Sequence, residues 1–314
     1  MKDICILLLA PNWRVSLLRS FKKSATVKIL MVGADSDSHS PALKVVDKSY
    51  VIPKFSERNC VEKIKAICDR ENVDVILPMT NKAIEFMDKN RVEFDEGDLL
   101  FYLADHTLIQ TSNDKRKLAE FFTQHNFASP DLIDPNKSFP GFPLIAKDPC
   151  GEGGKDCFKI EDQTELDFFS KKLPNHIFQR FIQGREFSID WFSDKTGLPV
   201  VVVPRERLIV RAGEVMVSRI QLISKIIEPA KRLGVQLQLR GPANLQGFLD
   251  ASGEFLFTDV NLRFGSGVLH TIHAGGNIPE MLIKELLGQP IETKPSFVKD
   301  RSTMSRFHDA IFDF

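Results

Sequence analysis

Phe255-Leu256-Phe257-Thr258-Asp259-Val260-Asn261-Leu262-Arg263 follows a turn at Ser252-Gly253, with Gly241-Pro242-Ala243-Asn244-Leu245-Gln246-Gly247-Phe248-Leu249-Asp250 on the other side of it. Two apolar runs bracketing a Ser-Gly turn read as a β-hairpin. On the second run Asp259, Asn261 and Arg263 occupy alternate positions, so they leave one face of a strand, and Gln246 reaches that face from the partner. One carboxylate and two amide oxygens suit Mg²⁺, or Mn²⁺, which takes hard oxygen donors and keeps several waters while bridging phosphates. Gln246, Asp259 and Asn261 are therefore candidate metal ligands. Taken alone, the same alternation also describes a solvent-facing hairpin.

Upstream lies Phe142-Pro143-Leu144-Ile145-Ala146-Lys147, an apolar run ending in a cation, followed by Gly151-Glu152-Gly153-Gly154-Lys155. Glycines let backbone N–H groups approach phosphate oxygens closely, and Lys147 supplies a fixed positive charge beside them. Either half alone is common, as a hairpin turn or a solvated lysine. Between these two regions runs His176 to Trp191, a strand, a Gln183-Gly184 connector and a second, alternating strand. Backbone groups of Gln179, Arg180, Phe181 and Ile182 offer an edge for a flat heterocycle, and Glu186 an acceptor for vicinal hydroxyls. Without the other motifs this is a plain hairpin.

The first third alternates short apolar runs with amphipathic stretches: Ile4 to Leu9, a helix over about 13–23, Lys28 to Val32, a helix near Cys60 to Glu71, then Val75 to Leu77. Strands separated by helices pair in parallel, which predicts a doubly wound α/β sheet with its ligand-facing ends at Pro11-Asn12, Gly33-Ala34-Asp35 and Pro78 to Asn81. No G-x-G-x-x-G follows the first strand, which disfavours a dinucleotide there. Around Asp98 to Ser112 a short strand leads to Thr111-Ser112-Asn113-Asp114, read as a helix start, and Pro130 to Pro143 reads as a loop. The expected division is an N-terminal α/β domain over 1–110 and a second, α+β domain over 111–314.

Composition narrows the function classes. With 314 residues, 42 basic and 42 acidic side chains and 43% hydrophobic residues, the chain is expected to be globular, without a nucleic-acid or membrane partner. The apolar opening is shorter than the roughly 20 residues a membrane span needs, and Lys2 is its only basic flank. Five cysteines (Cys5, Cys60, Cys68, Cys150, Cys157) fit neither a zinc nor a disulfide framework, so a reducing, cytoplasmic location is expected, with all five as ordinary thiols.

Taken in order, Asn113-Asp114-Lys115, Lys147, the 151–155 loop, Gln179 with Glu186, and Gln246, Asp259, Asn261 and Arg263 resemble the ATP-grasp superfamily. Within it the chain looks like carbamoyl-phosphate-synthase large subunits and their single-module relatives, the carboxylate-amine ligases. The resemblance runs over essentially the whole chain and implies a lid subdomain at about 120–185. It further implies ATP and Mg²⁺ as cofactors, and small carboxylate and amine substrates. In that pattern Lys115, Lys147, Gly151, Gly153 and Gly154 meet phosphates, Gln179 to Ile182 match the adenine-binding linker, and Glu186 matches the ribose acceptor. Gln246 also belongs to the nucleotide site. Lys147, Asn261 and Arg263 are the catalytic candidates, with Arg263 stabilising the transferred phosphoryl group. Arg205, Arg207, Arg211 and His273 are candidates for the substrate end, where paired arginines fit a carboxylate bidentately. Oligomerisation is common in such enzymes, so a homo-oligomer is in keeping with the resemblance.

Three positions depart from the family pattern. Asp259 stands where Glu is usual, Leu262 replaces a proline, and Phe264-Gly265-Ser266 lacks a second arginine. These departures, with length for one module, argue against carbamoyl phosphate synthesis itself and leave open a nucleotide-binding sensor or assembly subunit without turnover. A carboxylase or acid-thiol ligase is a further reading.

Overall fold

Ile4 to Leu9 is buried at every position, as a strand must be when helices cover both faces of its sheet. The computed structural model describes residues 4–312 except 25–26, 95–99, 138, 140, 152, 155, 292–297 and 308. Lys2, Asp98, and Glu152 and Lys155 of the glycine-rich loop lie outside the described residues.

The first sheet is built from β1 (Ile4–Leu9), α1 (Val15–Ser24), β2 (Ile29–Asp35), β3 (Lys48–Val51), α2 (Cys60–Glu71), β4 (Val75–Pro78), α3 (Asn81–Lys89), α4 (Arg91–Phe94) and β5 (Leu100–Phe101). Its strand order is β3-β2-β1-β4-β5, parallel throughout, as the alternating pattern predicts. The Thr80 hydroxyl caps α3 by accepting from the Ala83 N–H at 3.2 Å.

A helical pair follows, α5 (His106–Asn113) and α6 (Lys115–Gln124). Thr111 to Asn113 are thus the end of one helix rather than the start of another. Asp114, in extended conformation, breaks the chain between them and caps α6 by accepting from the Arg116 N–H at 2.8 Å. The expected division after residue 110 falls inside α5.

Next come β6 (Leu132–Ile133), β7 (Leu144–Lys147), β8 (Cys157–Ile160), α7 (Gln163–Lys172) and β9 (Ile177–Arg180), forming a four-stranded sheet in the order β6-β9-β7-β8. The stretch read as a loop therefore contains a short strand, β6. The remaining elements are β10 (Gly184–Ser193), β11 (Pro199–Arg211), β12 (Glu214–Ile220), α8 (Ser224–Gln236), β13 (Gly241–Asp250), β14 (Phe255–Asn261), α9 (Val268–His273), α10 (Ile278–Leu286) and β15 (Thr303–Ser305). Their sheet is antiparallel, in the order β14-β13-β10-β11-β12-β15.

The cores do not respect sequence order. One apolar cluster joins Ile6, Leu8, Leu18 and Phe21 of the first sheet to Val201, Val203, Phe264 and Ile278, so both regions share buried surface. A second cluster covers one face of the antiparallel sheet and gathers Phe187, Ile189 and Trp191 with Leu245, Phe255, Phe257 and Val260. Trp191 is fully buried, and a Cβ on Gly234 of α8 would lie 2.1 Å from its ring, so helix and sheet approach too closely for any side chain there. Trp13, ahead of α1, is 79% exposed.

Candidate functional site

The decisive hairpin pairs as read, with Gln246 opposite Asp259 and Asn244 opposite Asn261. Strict alternation would put Phe255, Phe257, Asp259 and Asn261 on one face, which is chemically inconsistent. A register shift between Gln246 and Gly247 resolves the conflict: Gly247 pairs with Phe257 and Gln246 with Asp259, leaving Thr258 as the extra residue of a bulge. The bulge reverses the parity. Phe255, Phe257 and Val260 all enter the core, while Asp259 and Asn261 turn to the opposite face. Gly247 sits opposite the bulge, where a Cβ would come within 2.3 Å of the Leu256 carbonyl oxygen.

That opposite face is the floor of a cavity of about 790 Å³. Glu186 and Ser188 of β10, Arg205 and Arg207 of β11, Asn244 and Gln246 of β13, and Asp259 and Asn261 of β14 all line it. Lys147 and the glycines 151, 153 and 154 form the wall from the four-stranded sheet, with Lys115 from α6. Arg14 and Asn81, from the ends of β1 and β4, line it from the first sheet. Three strand-end stretches were candidates for ligand contact. One of them, Pro78 to Asn81, supplies a lining residue; Pro11-Asn12 does not, although Arg14 just beyond it does, and at the third Asp35 is buried and accepts from the Asn12 N–H at 3.0 Å.

Specific bonds hold the polar groups. Lys115 Nζ donates to the Gly151 carbonyl at 2.6 Å and lies 3.8 Å from Asp259 Oδ1, so one ammonium ties the glycine-rich loop to the hairpin carboxylate. The loop also touches the β11–β12 turn: a Cβ on Gly213, whose φ is +78°, would lie 2.5 Å from the Gly153 carbonyl oxygen. Arg263 donates through Nε to Asn81 Oδ1 at 2.9 Å and through Nη2 to Asn261 Oδ1 at 3.1 Å. Arg207 Nη1 lies 2.9 Å from Glu186 Oε1 and 3.3 Å from Gln246 Oε1. Burial raises the Glu186 carboxyl, partly offset by the charge of Arg207, while burial lowers the Arg207 guanidinium.

Beneath the floor is a closed network. Asp190 accepts from Arg205 Nε at 2.6 Å and Nη2 at 3.0 Å, from Thr271 Oγ1 at 2.5 Å and from Asn244 Nδ2 at 3.2 Å. Arg205 and Asp190 are each about 1% exposed. Arg205 Nη1 and Arg207 Nε are buried without a hydrogen-bond partner among the described residues. Gly267 closes directly on Arg205, since a Cβ there would sit 2.4 Å from Nη1.

Several expected residues are elsewhere. Arg211 is exposed at the tip of β11: two register irregularities, at 207/209 and 209/210, break the alternation that would have kept it in line with Arg205 and Arg207. His273 is exposed at the end of α9, away from the cavity lining, whereas His270 is buried between the hydroxyls of Ser218 and Ser302. Gln179 is buried on β9 and donates to the Pro130 carbonyl at 3.2 Å, and Arg180, Phe181 and Ile182 are likewise absent from the lining. The N–H groups of Arg180 and Phe181 already donate to Asp131 and Pro143. Cys150 and Cys157, read from the sequence as ordinary thiols, are exposed and line the cavity. Sequence reasoning missed Arg14, Ser188 and Asn244. Arg14 carried a signal, two residues past the strand end at Asn12.

The donor set fits a hard cation. Asp259 is half-buried and lines the cavity, and the Gln246 and Asn261 amide oxygens on the same floor accept from Arg207 at 3.3 Å and Arg263 at 3.1 Å, bonds a cation would have to share or displace. Among the described residues no three His, Cys, Asp or Glu side chains group as a metal site.

Residues 6–100 match the model of the PylC-like N-terminal domain, and residues 172–306 that of ATP-grasp in the biosynthetic pathway with Ter operon. A carbamoyl-phosphate synthase of Methanobrevibacter smithii is 23% identical over 165 residues, half of this chain and 44% of that protein, so the match spans less than half the relative's length. Among solved structures, the biotin carboxylase of Campylobacter jejuni, a β,γ-ATP complex, superposes with a TM-score of 0.73 at 18% identity over 95% of this chain and 74% of the other. The L-amino acid ligase of Bacillus licheniformis gives 0.71 at 18% over 91% and 75%. N5-carboxyaminoimidazole ribonucleotide synthetase of Thermotoga maritima gives 0.69 at 19% over 93% and 78%. The parallel N-terminal sheet and the antiparallel sheet that presents polar residues to one cavity thus stand in the order of the two domain matches, a PylC-like N-terminal domain followed by an ATP-grasp domain.

Proposed function

We propose that the chain is an ATP-dependent ligase that phosphorylates a substrate carboxylate and transfers the acyl group to an amine or similar nucleophile. The observation that carries this reading is the convergence of Asp259, Asn261, Gln246, Arg263 and Lys147 on one cavity beside a glycine-rich loop. Magnesium held through Asp259 and amide oxygens would neutralise phosphate charge. Lys147 and the N–H groups of the loop hold the nucleotide phosphates. Arg263, fixed by Asn81 and Asn261, faces the transferred group and stabilises its developing charge. A carboxylate oxygen attacks the γ-phosphorus, the bond to the ADP oxygen breaks, and an acyl phosphate forms. The nucleophile then attacks the carbonyl carbon, loses a proton, and phosphate leaves.

Arg205 brings a guanidinium from β11 against the 264–267 loop, where the family's second arginine is missing from the sequence. This favours retained turnover over a sensor role. We assign a cytoplasmic location, for which the free thiols are the support; among the described residues no helix is long and apolar enough to cross a membrane. The test is phosphate release with Mg-ATP across paired acids and amines. Lys147→Ala and Asp259→Ala should each reduce it by about 10²-fold or more, and wild-type rates in both would refute the assignment.

A further inference from the structure

Arg14 is the cation in this cavity that the phosphoryl-transfer reading leaves without a task. It follows β1 in a turn where Ala10 and Asn12 both have positive φ, 54° and 49°. Such conformations are unfavourable for a residue with a Cβ, Ala10 more than Asn12, and persist where surrounding bonds enforce them. Those bonds are present: the Ala10 N–H donates to the Ala34 carbonyl at 2.8 Å, the Asn12 N–H to Asp35, and the Asn12 carbonyl accepts from Ala42 N–H at 3.1 Å and Ser40 Oγ at 3.0 Å. A strained and firmly braced turn thus delivers a half-buried guanidinium to the cavity wall. Among the described residues, that guanidinium donates to no protein acceptor.

Its charged neighbours are Arg263, Glu214 and Arg306. Glu214 is already paired with Arg306 at 3.3 Å. Arg14 therefore has no ion-pair partner among the described residues, and the charge acting on it most is a second guanidinium, that of Arg263. The crowding is expressed in its pKa, lowered to about 9 by burial first and by Arg263 second. A separate group surrounds Glu186, namely Arg207, Asp259 and Lys147, and shares no member with the first. On the ligase reading the reacting carboxylate would have donors of its own in Arg205 Nη1 and Arg207 Nε, buried and without a partner among the described residues.

We infer that Arg14 receives a second anionic group of the substrate, beyond the carboxylate that is activated, so that the substrate class is an acid bearing two anionic groups, carboxylate or phosphate. This deepens the ligase reading and rests on it. An arginine held on the N-terminal domain then selects the acid, while the ATP-grasp domain performs the transfer.

The experiment is calorimetric titration of the full chain, saturated with Mg-ADP, using matched acids: glutamate against glutamine, succinate against succinamate, and 3-phosphoglycerate against glycerate. Wild type is expected to favour at least one dianionic member by about tenfold or more, the range of a charge-assisted hydrogen bond. The first two pairs report a carboxylate and the third a phosphate. Arg14→Ala should abolish the preference, Arg14→Lys should retain part of it, and Mg-ADP affinity should stay within about twofold of wild type, since Lys147 and the loop are untouched. A preference intact in Arg14→Ala, no dianionic acid bound by wild type, or an equal loss of Mg-ADP affinity would each overturn the inference. Phosphate release from Mg-ATP, measured on the same panel, tests the ligase reading separately: a diacid preference without turnover would sink that reading and leave the anion subsite standing.

Discussion

Replacing Asp190 by Asn keeps the side-chain shape and removes the one charge that balances Arg205. Both residues are about 1% exposed, and the carboxylate accepts four hydrogen bonds, two from the guanidinium and one each from Thr271 and Asn244. The amide offers two donors to a site filled with donors. Stranding a buried charge in this way costs about 3–5 kcal/mol. For a cooperative unit of 150–250 residues, each kcal/mol lowers Tm by about 2–4 °C, so a fall of roughly 6–20 °C is expected by differential scanning calorimetry. Adding Arg205→Met to the Asp190→Asn background removes the stranded guanidinium at similar volume, and the double variant should be more stable than Asp190→Asn alone. An Asp190→Asn variant within about 0.5 kcal/mol of wild type, or additive losses in the double variant, would refute the view that this pair is a desolvated, mutually dependent unit.

Three further outcomes follow from features of the site and its supports. Gly213→Ala places a methyl against the Gly153 carbonyl at a φ of +78°, so it should strain the turn by about 1–3 kcal/mol, displace the glycine-rich loop and weaken ATP binding; unchanged affinity by calorimetry would contradict that contact. His270 is buried, and its pKa is lowered to about 4, first by desolvation and then by the charge of Arg205. The folded form therefore holds a neutral ring, so its contribution to stability is full above about pH 6.5 and is lost as pH falls toward 4, about 3 kcal/mol in all. A His270→Asn variant should show a correspondingly flatter acid limb in thermal melts. Thr80→Ala removes the α3 cap and should cost about 1 kcal/mol, a small but measurable fall in Tm.

The parallel sheet was legible because β1 is apolar at every position and the helices between strands are amphipathic, two periodicities that do not mimic each other. The hairpin carrying Asp259, Asn261 and Arg263 was legible for its alternation and its Ser-Gly turn. What alternation alone misses is the bulge at Thr258, since an extra residue changes parity without leaving a compositional mark. The same limitation explains Arg211, which a period of two keeps in line with Arg205 and Arg207 until irregular pairing moves it away. Asn113 and Asp114 suggested a helix start, and Asp114 does cap one; the preceding helix was hidden because His106 to Asn113 is short and polar. Arg14 and Asn81 reach the cavity from strands far away in sequence, and only the fold of the first sheet against the third brings them beside Arg263.

The two tryptophans of the chain occupy opposite extremes, Trp13 79% exposed at the head of α1 and Trp191 wholly enclosed beneath α8 with its indole N–H on Ser193 Oγ at 3.1 Å. Their emission is therefore separable without any label: iodide quenches the red-shifted indole beside Arg14 and spares the blue-shifted one in the core. A single fluorescence titration of the unmodified protein reads the exposed head of α1, next in sequence to Arg14, through the first and the integrity of the antiparallel sheet through the second.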